Sequence, residues 1–400
     1  MSLANIPVAS AQGAIDQYVQ TLPAQRKSLP DLSGTVLAET IYMERDQPPF
    51  DRVTMDGIAL NSNAAASDEL RIAGTQAAGA APLTLHGNDQ CIEVMTGAQL
   101  PLGCNCVIPF ERIRCDNGIA YLNDDVQPTE FLNVHRRGSD ARQGAAILAA
   151  GTRLNSVEIA VLASAGYSSA QVHATPRIAV ISTGDELIEP GSPIQDWQIR
   201  RSNSYALISA LRNQGYGAIT DAHLRDDPQQ LRRQISALLD QHDVLILSGG
   251  VSAGKFDYVP QVLKEVGVTT IFHKILQRPG KPMWFGIRDD GKAVYALPGN
   301  PVSILVCLHR YVLRGLQRAM GITRFSASFA RLNTATKTHD QLTCFVPVQL
   351  HNANACSTAT PRPTRGSGDF ISLLDTDGFV ELPASDALIP ADTIVPVYHW

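Results

Sequence analysis

The chain has 400 residues, of which 44% are hydrophobic and 18% charged, and its formal net charge is −5. That length predicts two to four domains, with a core large enough to fold without a disulfide or metal. The acidic balance, with no lysine- or arginine-rich block, argues against a nucleic-acid-binding surface.

We expect a cytoplasmic protein that neither spans nor binds a membrane. The sequence contains no run of about 18 apolar residues, and its first residues lack the pattern of a secretory signal. The seven cysteines include no Cys-x-x-Cys pair. We therefore expect reduced thiols packed as small core residues, with no disulfide framework and no zinc site.

The N-terminal third changes character twice. Residues up to about 40 look helical and polar, whereas residues 41–132 alternate short extended runs with Gly, Pro and Asn turns. Runs such as GIAL, QCIEVMTGA and NCVIPFERI predict a small β-rich module. The segment SVEIAVLASAGY then predicts a helix with Ser156 as its N-cap and Gly166 at its end.

From Arg177 onward, short apolar runs alternate with amphipathic helical segments. The predicted strands are RIAVIS, GAITDAHL, DVLILS, TTIFHKIL, PMWFGIR and AVYAL, and their alternation with helices predicts a parallel sheet covered on both faces. A long helix begins at Pro301, and we expect Arg310, Arg314 and Arg318 to face solvent near its C-terminal end. Residues 323–400 predict a small β-barrel or sandwich.

Ligands of a doubly wound sheet bind beyond the carboxyl ends of its strands. Glycine, acidic or basic residues follow the predicted strands in five loops: Thr183-Gly184-Asp185-Glu186, Arg225-Asp226-Asp227, Ser248-Gly249-Gly250-Val251-Ser252 with Asp257, Arg278-Pro279-Gly280-Lys281, and Pro298-Gly299-Asn300-Pro301. Ordinary turn chemistry explains any one of these loops. Five of them on one rim indicate a binding site.

The chemistry of this rim predicts bound phosphate and Mg²⁺. The glycines after DVLILS allow a nest of backbone N–H groups, and the helix that begins at Pro301 offers further free N–H groups. Arg278 and Lys281 add positive charge, but the Walker pattern of an ATPase is absent. Carboxylates beside phosphate favour Mg²⁺, although we expect either Asp226 or Asp227 to cap a helix instead.

The β-rich module and its flank carry a second group of polar residues. Asp51 and Asp56 lie near a turn, and Thr96 follows a strand within Met-Thr-Gly-Ala. The cluster His135-Arg136-Arg137-Gly138-Ser139-Asp140 fits either anion binding or surface salt bridges.

Together these segments resemble the MoeA family of molybdopterin molybdenumtransferases, and they are similar also to the E domain of gephyrin. The resemblance runs from about residue 10 to the end of the chain. Its motifs are Thr54-Met55-Asp56-Gly57, Met95-Thr96-Gly97-Ala98, Arg136-Arg137-Gly138 with Asp140, Ser182-Thr183-Gly184-Asp185-Glu186-Leu187, Ser248-Gly249-Gly250-Val251-Ser252, Pro279-Gly280-Lys281-Pro282, Leu297-Pro298-Gly299-Asn300-Pro301 and Gly366-Ser367-Gly368-Asp369.

The resemblance implies a multidomain α/β plus β fold. Its domains would be a discontinuous linker and dimerisation domain at 1–40 and 133–172, an inserted β-rich module at 41–132, a doubly wound molybdopterin-binding domain at 173–322, and a β-barrel at 323–400. It also implies a homodimer whose cleft lies between the α/β domain of one subunit and the β-rich module of the other.

The implied reaction is the last step of molybdenum cofactor assembly. Adenylated molybdopterin and molybdate are substrates, AMP is released with the help of Mg²⁺, and molybdenum is inserted. The implied partners are molybdopterin adenylyltransferase and the downstream proteins of molybdoenzyme maturation. Whether tungsten replaces molybdenum stays open.

By resemblance, three groups of residues have roles in this reaction. The catalytic group is Asp56, Thr96, Asp140, Glu186, Asp226 and Asp257. Three of these carboxylates would hold the metal: Glu186, Asp226 and Asp257. The substrate-binding group is Thr183, Gly184, Asp185, Ser248, Gly249, Gly250, Ser252, Arg278, Lys281, Pro298, Gly299, Asn300, Pro301, Ser303, Arg136 and Arg137.

Three positions differ from the usual family pattern. The family often has arginine at the position of His135, Asp or Asn at that of Arg201, and lysine at that of Arg278. We expect Arg201→Asp to leave folding intact and to change anion affinity. Two other functions fit the residues: a Mg²⁺-dependent nucleotide pyrophosphate hydrolase, and a catalytically weakened paralogue that serves as a cofactor-binding scaffold.

Overall fold

The computed structural model describes residues 3–63, 69–250, 258–353, 356–362 and 364–400. Within these ranges the α-helices are α1 (Val8–Tyr18), α2 (Ser156–Ser164), α3 (Asn203–Asn213), α4 (Pro228–Gln241), α5 (Val259–Glu265), α6 (Pro301–Cys307) and α7 (Leu313–Ala319). Short 3₁₀ turns lie at Leu29–Asp31, Phe110–Arg112 and Ile371–Leu373, and a π-helical turn, Leu308–Val312, joins α6 to α7.

The strands of the first half are β1 (Leu3–Ile6), β2 (Ala24–Ser28), β3 (Ile41–Tyr42), β4 (Arg52–Val53), β5 (Gly57–Leu60), β6 (Glu69–Gln76), β7 (Gln90–Val94), β8 (Cys106–Pro109), β9 (Ile113–Asp116), β10 (Ile119–Leu122), β11 (Val134–His135), β12 (Ala146–Leu148) and β13 (Ser169–His173). Those of the second half are β14 (Ile178–Thr183), β15 (Leu187–Ile188), β16 (Ile199–Arg200), β17 (Ile219–Leu224), β18 (Val244–Ser248), β19 (Val268–Ile275), β20 (Gln277–Arg278), β21 (Trp284–Arg288), β22 (Ala293–Leu297), β23 (Ser328–Leu332), β24 (Thr343–Ala353), β25 (Cys356–Pro361), β26 (Gly378–Leu382) and β27 (Ile394–His399).

A seven-stranded sheet in the order β1-β19-β21-β22-β18-β14-β17 forms the centre of the fold. Strands β22, β18, β14 and β17 are mutually parallel, as the sequence predicts. Strand β21 pairs antiparallel with both of its neighbours, because the Asp-Asp-Gly turn returns the chain directly into β22. The sheet is therefore mixed at this point rather than wholly parallel.

Helices cover both faces of this sheet. In β14, Ile178 and Val180 pack with α3 and the long helix α6–α7, whereas Ala179 and Ile181 pack with α4 and α5. This alternation follows from the two-residue period of a strand, which directs successive side chains to opposite faces. The continuous apolar runs of the sequence thus correspond to strands buried on both sides, and the predicted fold class is confirmed.

The first residues of the chain pack against the central sheet. Strand β1 pairs in parallel with β19, and α1 packs into the same core as the long helix. The apolar spacing of Val8, Ala11 and Ile15 buries one face of α1 against that core. Residues 3–18 therefore pack with the large α/β layer.

The expected solvent stripe on the long helix is wrong. Arg310 is buried and donates 2.8 Å to Glu381 and 2.7 Å to Gln12, and Arg314 binds both carboxylate oxygens of Asp16 at 2.7 Å. Arg318 donates to the Asp16 carbonyl oxygen. These arginines face α1 and the C-terminal barrel, because those elements cover the side of the helix that looked polar in sequence.

Two further layers flank the central sheet. Strands β2 and β13 pair antiparallel, and segments 29–41 and 147–172 share one small core, so this part of the fold is discontinuous in sequence. Between them the chain forms a six-stranded sheet, β8-β5-β7-β6-β10-β9, with an apolar cluster on each face. Strand β4 pairs with β11 where the chain enters and leaves this module.

The C-terminal region closes on itself. Strands β24, β25, β23, β27 and β26 pair in a ring that returns to β24, which makes a five-stranded barrel. Strand β20, from the α/β region, adds to β24 from outside the ring. The barrel is thereby joined to the loop that follows β19.

Several local predictions have clear outcomes. Asp227 caps α4 by accepting 2.7 Å from the Gln230 N–H, as expected for one of the two aspartates. Asn155, not Ser156, caps α2, because it forms a capping box with Glu158. All seven cysteines are free, but Cys115 and Cys356 are exposed rather than in the core. No helix of the described ranges is long and apolar enough to span a bilayer.

Candidate active site

Two neighbouring cavities lie at the carboxyl ends of the central strands. The first, here called the strand-end cavity, has a volume of about 310 Å³ and lies against the ends of β14 and β18, the segment 199–203 and the start of α6. The second, here called the basic cavity, has a volume of about 720 Å³ and lies between residues 277–282, the start of α6 and the barrel. Asn300 lines both of them.

Glycine shapes the wall of the strand-end cavity. Gly249 follows β18 with a φ of +98°, and a Cβ atom there would lie 3.2 Å from both oxygens of Thr183. Gly184 has a φ of +138°, and a Cβ atom there would lie 2.6 Å from the Glu186 carboxylate. The loop after β18 comes this close to the end of β14 because residue 249 has no side chain, and glycine at 184 leaves room for the Glu186 carboxylate.

The strand-end cavity contains buried polar atoms without a partner. The Asn203 Nδ2 group donates 2.7 Å to the Gly299 carbonyl and 3.1 Å to Ser248 Oγ. A carbonyl only accepts, so the amide orientation is fixed and Asn203 Oδ1 is the free acceptor. Oδ1 and the Thr183 hydroxyl are both buried, and within the described ranges neither forms a hydrogen bond. Because such groups are costly when unsatisfied, they indicate a place for a ligand.

Arg201 lies in the wall of this cavity, but its charge is already neutralised. The guanidinium donates 2.8 Å to Ser182 Oγ and 2.9 Å to Glu189, and it also binds Asp221. These carboxylates raise the pKa of Arg201 against the opposing effect of burial. The arginine therefore holds the loop of residues 185–200 onto β14 and β17. Replacing it with Asp would bring three carboxylates together, so the expectation of intact folding conflicts with this geometry.

The basic cavity has the opposite electrostatic character. Its described lining residues include no Asp or Glu. They do include four cationic side chains: Arg278, Lys281, Lys337 and Arg365. None of the four side chains forms an ion pair within the described part of the chain, although Asp369 lies next to Arg365 and accepts 3.3 Å from its backbone N–H. Ser303, Ser367 and Asn300 add hydroxyl and amide groups. Cations without an ion pair, together with neutral donors, make a cavity for an anion with several oxygen atoms.

A short set of hydrogen bonds separates the two cavities. Asn300 Nδ2 donates 2.8 Å to Ser367 Oγ, and the Val302 N–H donates 3.0 Å to the Ser367 carbonyl. Gly368, the next residue, lines the strand-end cavity. The Gly-Ser-Gly-Asp motif of the barrel therefore closes the space between the cavities at the N-terminus of α6.

The predicted metal-binding carboxylates are only partly described. Glu186 lines the strand-end cavity, and its exposed side chain has no hydrogen bond or ion pair among the described residues. Asp226 follows β17 at the same end of the sheet, and Asp257 lies outside the described residues, as does Ser252. Among described residues, no three His, Cys, Asp or Glu side chains are grouped closely enough to hold a metal ion.

The predicted residues of the β-rich module form a separate group. Asp56 Oδ1 accepts 2.6 Å from the Thr96 N–H and 2.7 Å from its hydroxyl, and these bonds lower the pKa of Asp56. Asp140 contacts His135 Nε2 at 2.7 Å, and Arg52 contacts His135 Nδ1 at 3.0 Å. Because an arginine only donates, Nδ1 accepts and Nε2 carries the proton that is donated to Asp140.

The arginines next to this group make local contacts. Arg136 stacks 4.0 Å from the Phe131 ring centroid, and Arg137 donates 2.8 Å to Asp46 through its side chain and to Asp51 through its backbone. The salt-bridge interpretation of the basic cluster therefore describes Arg137. No described residue of 41–132 lines either cavity of the same subunit.

The structure thus gathers about half of the predicted site residues around the two cavities. Those in the strand-end cavity are Thr183, Glu186, Ser248, Gly249, Gly299, Asn300 and Pro301, and those in the basic cavity are Arg278, Lys281, Pro298, Asn300 and Ser303. Three residues belong to the adjoining loops without lining a cavity: Gly184, Asp185 and Gly250. The sequence reasoning missed Asn203, Lys337 and Arg365. Arg365 directly precedes the Gly-Ser-Gly-Asp motif, which was the available signal.

Comparisons with known proteins agree with this architecture. Residues 6–166 match the MoeA N-terminal region (domain I and II), residues 179–318 a probable molybdopterin binding domain, and residues 330–400 the MoeA C-terminal region (domain IV). A Synechocystis protein named molybdopterin molybdenumtransferase is 42% identical over 373 residues, covering 92% of this chain and 93% of that protein. A Nostoc protein of the same name is 30% identical and covers 89% and 84%. The crystal structure of a molybdopterin biosynthesis MoeA protein from Pyrococcus horikosii is 30% identical, with a TM-score of 0.81 and 99% coverage of both chains.

The doubly wound sheet with two cavities at its strand ends, together with the inserted module and barrel, defines a multidomain ligand-binding protein. The matches to all three regions are more specific. The chain belongs to the MoeA family and has a role in molybdenum cofactor biosynthesis.

Proposed function

We propose that this chain is a molybdopterin molybdenumtransferase, which uses molybdate and adenylated molybdopterin, releases AMP and leaves molybdenum on the pterin. The single observation that carries the proposal is the pairing of the two cavities. A cavity lined by four cations, none of which forms an ion pair in the described chain, lies beside one with unpartnered buried oxygens, and the two meet at Asn300. One substrate with a ring and several oxyanion groups needs this combination.

The basic cavity would take the oxyanions. Molybdate and phosphate are tetrahedral anions, and Arg278, Lys281, Lys337 and Arg365 supply charge without a carboxylate to repel them. Neutral donors from Ser303 and Ser367 would complete the shell. This arrangement would hold molybdate near the phosphates of the second substrate, so that the two reactants are brought together by binding.

The strand-end cavity would take the pterin ring. Asn203 Oδ1 is an acceptor with a fixed orientation, so its ligand partner must be an N–H or O–H donor. A pterin has such groups on its ring and its amino substituent, whereas an oxyanion has none. Residues 179–318, which build this cavity, match the probable molybdopterin binding domain, and that match supports the assignment.

Mg²⁺ would enter with the phosphates of the substrate. Mg²⁺ usually keeps several waters and binds through one or two carboxylates together with phosphate oxygens. The Glu186 side chain, exposed in the strand-end cavity and without a hydrogen bond or ion pair among the described residues, would supply one such carboxylate to an ion held on the phosphates where the two cavities adjoin. Asp226 and Asp257 would be its neighbours, as the resemblance implies. The bound ion would neutralise charge that develops as the pyrophosphate is cleaved.

The remaining catalytic residues would come from a second copy of the chain. Asp56, Thr96 and Asp140 lie in or beside the β-rich module, which contributes no described residue to the two cavities. A homodimer in which this module covers the cavities of the partner would unite the two groups. The low pKa of Asp56 keeps it ionised, as a carboxylate that binds Mg²⁺ or orients water must be. Molybdopterin adenylyltransferase would supply the substrate, and molybdoenzyme maturation proteins would receive the product.

The test is AMP release from adenylated molybdopterin with Mg²⁺, measured with and without molybdate. We expect release that depends on molybdate and is lost in Asp56→Asn. AMP release at the same rate with and without molybdate would instead indicate a nucleotide pyrophosphate hydrolase. A folded protein that binds the pterin but releases no AMP would be a scaffold, and the proposal would be wrong.

A further inference from the structure

A buried polar triad lies at the base of the basic cavity, and one of its members, Gln277, also lines the cavity. It consists of Gln277, Tyr311 and Cys307, each completely or almost completely shielded from solvent. Gln277 immediately precedes Arg278 and lies four residues before Lys281, and Tyr311 lies in the π-helical turn between α6 and α7. An apolar side chain would pack at each position without the cost of burying polar groups, so their presence needs a physical reason.

The triad is fully connected by directional hydrogen bonds. Burial raises the pKa of Tyr311 well above its ordinary value, so the phenol keeps its proton and donates to Gln277 Oε1. Gln277 Nε2 then donates 3.0 Å to the Pro279 carbonyl, with Cys307 Sγ at 3.8 Å. Cys307 Sγ in turn donates to the Gly280 carbonyl at 3.8 Å. The amide can occupy only one orientation, because a phenol proton lies on one side and a carbonyl on the other.

The bonds converge on the backbone of residues 278–281, here called the basic loop. Its two central carbonyls are both held from below by the triad. Gly280 has a φ of +89°, and a Cβ atom there would lie 2.7 Å from Gln277 Nε2 and 2.8 Å from Cys307 Sγ. Glycine therefore lets the loop rest directly on the triad. Arg278 and Lys281, at the two ends of the loop, are exposed and line the basic cavity.

We propose that Gln277, Tyr311 and Cys307 are positioning residues of the basic cavity, which fix the basic loop so that Arg278 and Lys281 bind an oxyanion together. This inference rests on the proposed function, since it names the residues that support the same cavity. The long, flexible side chains of arginine and lysine gain affinity when their backbone is preorganised. The triad would supply that preorganisation from the helix behind the loop.

The test compares two tyrosines that are equally buried in the same core. Tyr311→Phe removes the hydroxyl that orients Gln277, whereas Tyr295→Phe removes a hydroxyl that has no hydrogen-bond partner among the described residues. Molybdate is titrated calorimetrically into each full-length variant, and amide hydrogen exchange is followed in the peptide that covers the basic loop. Supporting residues of bound metals typically contribute 10- to 100-fold in affinity. By analogy we expect molybdate to bind about tenfold more weakly to Tyr311→Phe, with faster exchange in the loop.

Tyr295→Phe should stay within about twofold of the wild type in affinity and be unchanged in exchange. In turnover, Tyr311→Phe should raise the KM for molybdate and leave kcat unaltered. Unchanged affinity and exchange in Tyr311→Phe would overturn the proposal, and so would equal effects of the two substitutions. If Tyr311→Phe does not fold, Cys307→Ala is the substitute, with an expected loss of roughly threefold.

The outcomes separate this inference from the proposed function. If Lys281→Ala and the wild type bind molybdate equally, or the wild type does not bind it, the assignment of the basic cavity fails. In that case amide hydrogen exchange in the basic loop is the remaining test of the positioning role. Faster exchange in Tyr311→Phe but not in Tyr295→Phe supports that role, and unchanged exchange in Tyr311→Phe overturns it.

Discussion

The basic cavity and the strand-end cavity meet at one residue, Asn300, yet they treat positive charge in different ways. In the strand-end cavity Arg201 is buried and bound to Glu189 and Asp221, so its charge is neutralised within the protein. In the basic cavity Arg278 and Lys281 have no carboxylate partner in the described chain. The ion pairs of Arg201 stabilise the wall of the strand-end cavity, whereas the positive charges of Arg278 and Lys281 are available to bind an anionic ligand. The number of arginines near a site is therefore less informative than their partners.

The largest effect is expected from Arg201→Asp, which would place a third carboxylate beside Glu189 and Asp221. Breaking a buried ion pair costs about 3–5 kcal/mol, and partial exposure of the two acids reduces this through screening. We expect urea unfolding to report a loss of about 3 kcal/mol. Arg201→Lys, which keeps the charge, should lose much less. A fully stable Arg201→Asp protein would show that Arg201 is not part of the wall.

Next in size is Lys281→Ala, which removes one uncompensated cation from the basic cavity. Hydrogen bonds to charged groups are worth about 1.5–3 kcal/mol, so molybdate affinity should fall roughly 10- to 100-fold while stability is kept. The loss should shrink at high salt, because screening weakens the wild-type interaction. Lys264→Ala, an exposed lysine on α5, is the control and should bind molybdate normally. Equal losses in both variants would contradict a specific role of Lys281.

A smaller effect, confined to the other cavity, is expected from Asn203→Ala. The substitution removes the free Oδ1 acceptor and leaves Ser248 and the Gly299 carbonyl without their donor. Pterin affinity should fall about 5- to 30-fold, since one buried hydrogen bond is worth roughly 1–2 kcal/mol. Asn213→Ala, at the exposed end of the same helix, serves as the control. An unchanged pterin affinity would remove Asn203 from the binding site.

The smallest effect concerns pH. Thr96 lowers the pKa of Asp56 first through its backbone N–H and then through its hydroxyl, so the carboxylate stays charged to lower pH than an ordinary Asp. Thr96→Val keeps the backbone bond and removes the hydroxyl bond, and therefore the pKa of Asp56 should rise. The acid limb of the pH–rate profile should move to higher pH by less than about one unit.

A carboxyl-carbon NMR titration of Asp56 measures the same shift without turnover. Thr75→Val is the matched control, because the Thr75 hydroxyl binds Glu93 in the same module and not Asp56. If the Asp56 titration is the same in Thr96→Val and the wild type, the hydroxyl does not tune this carboxylate.

The strands and helices of the α/β region could be predicted from local patterns. The run RIAVIS is apolar throughout because β14 is buried on both faces, and Asp227 precedes a proline at the start of α4. What the patterns could not supply was the set of partners from distant sequence. Arg314 looked exposed on its own helix, but Asp16, almost 300 residues earlier, binds it.

The same limit applies to the site. Arg278 and Lys281 follow a predicted strand and were found by that rule, whereas Lys337 and Arg365 lie in barrel loops and share the cavity only through tertiary contact. Asn203 looked like the ordinary start of a helix. Its role depends on which amide atom of Asn203 contacts the Gly299 carbonyl, and this contact cannot be read from the sequence.

The most direct test of the division between the cavities is a crossed titration. Molybdate and a phosphate-free pterin are each titrated calorimetrically into the wild type, Lys281→Ala and Asn203→Ala. We predict that Lys281→Ala loses molybdate affinity and keeps the pterin, and that Asn203→Ala does the reverse. If each variant lost both ligands to the same extent, the cavities would not bind separate parts of the substrates, and the account would be contradicted.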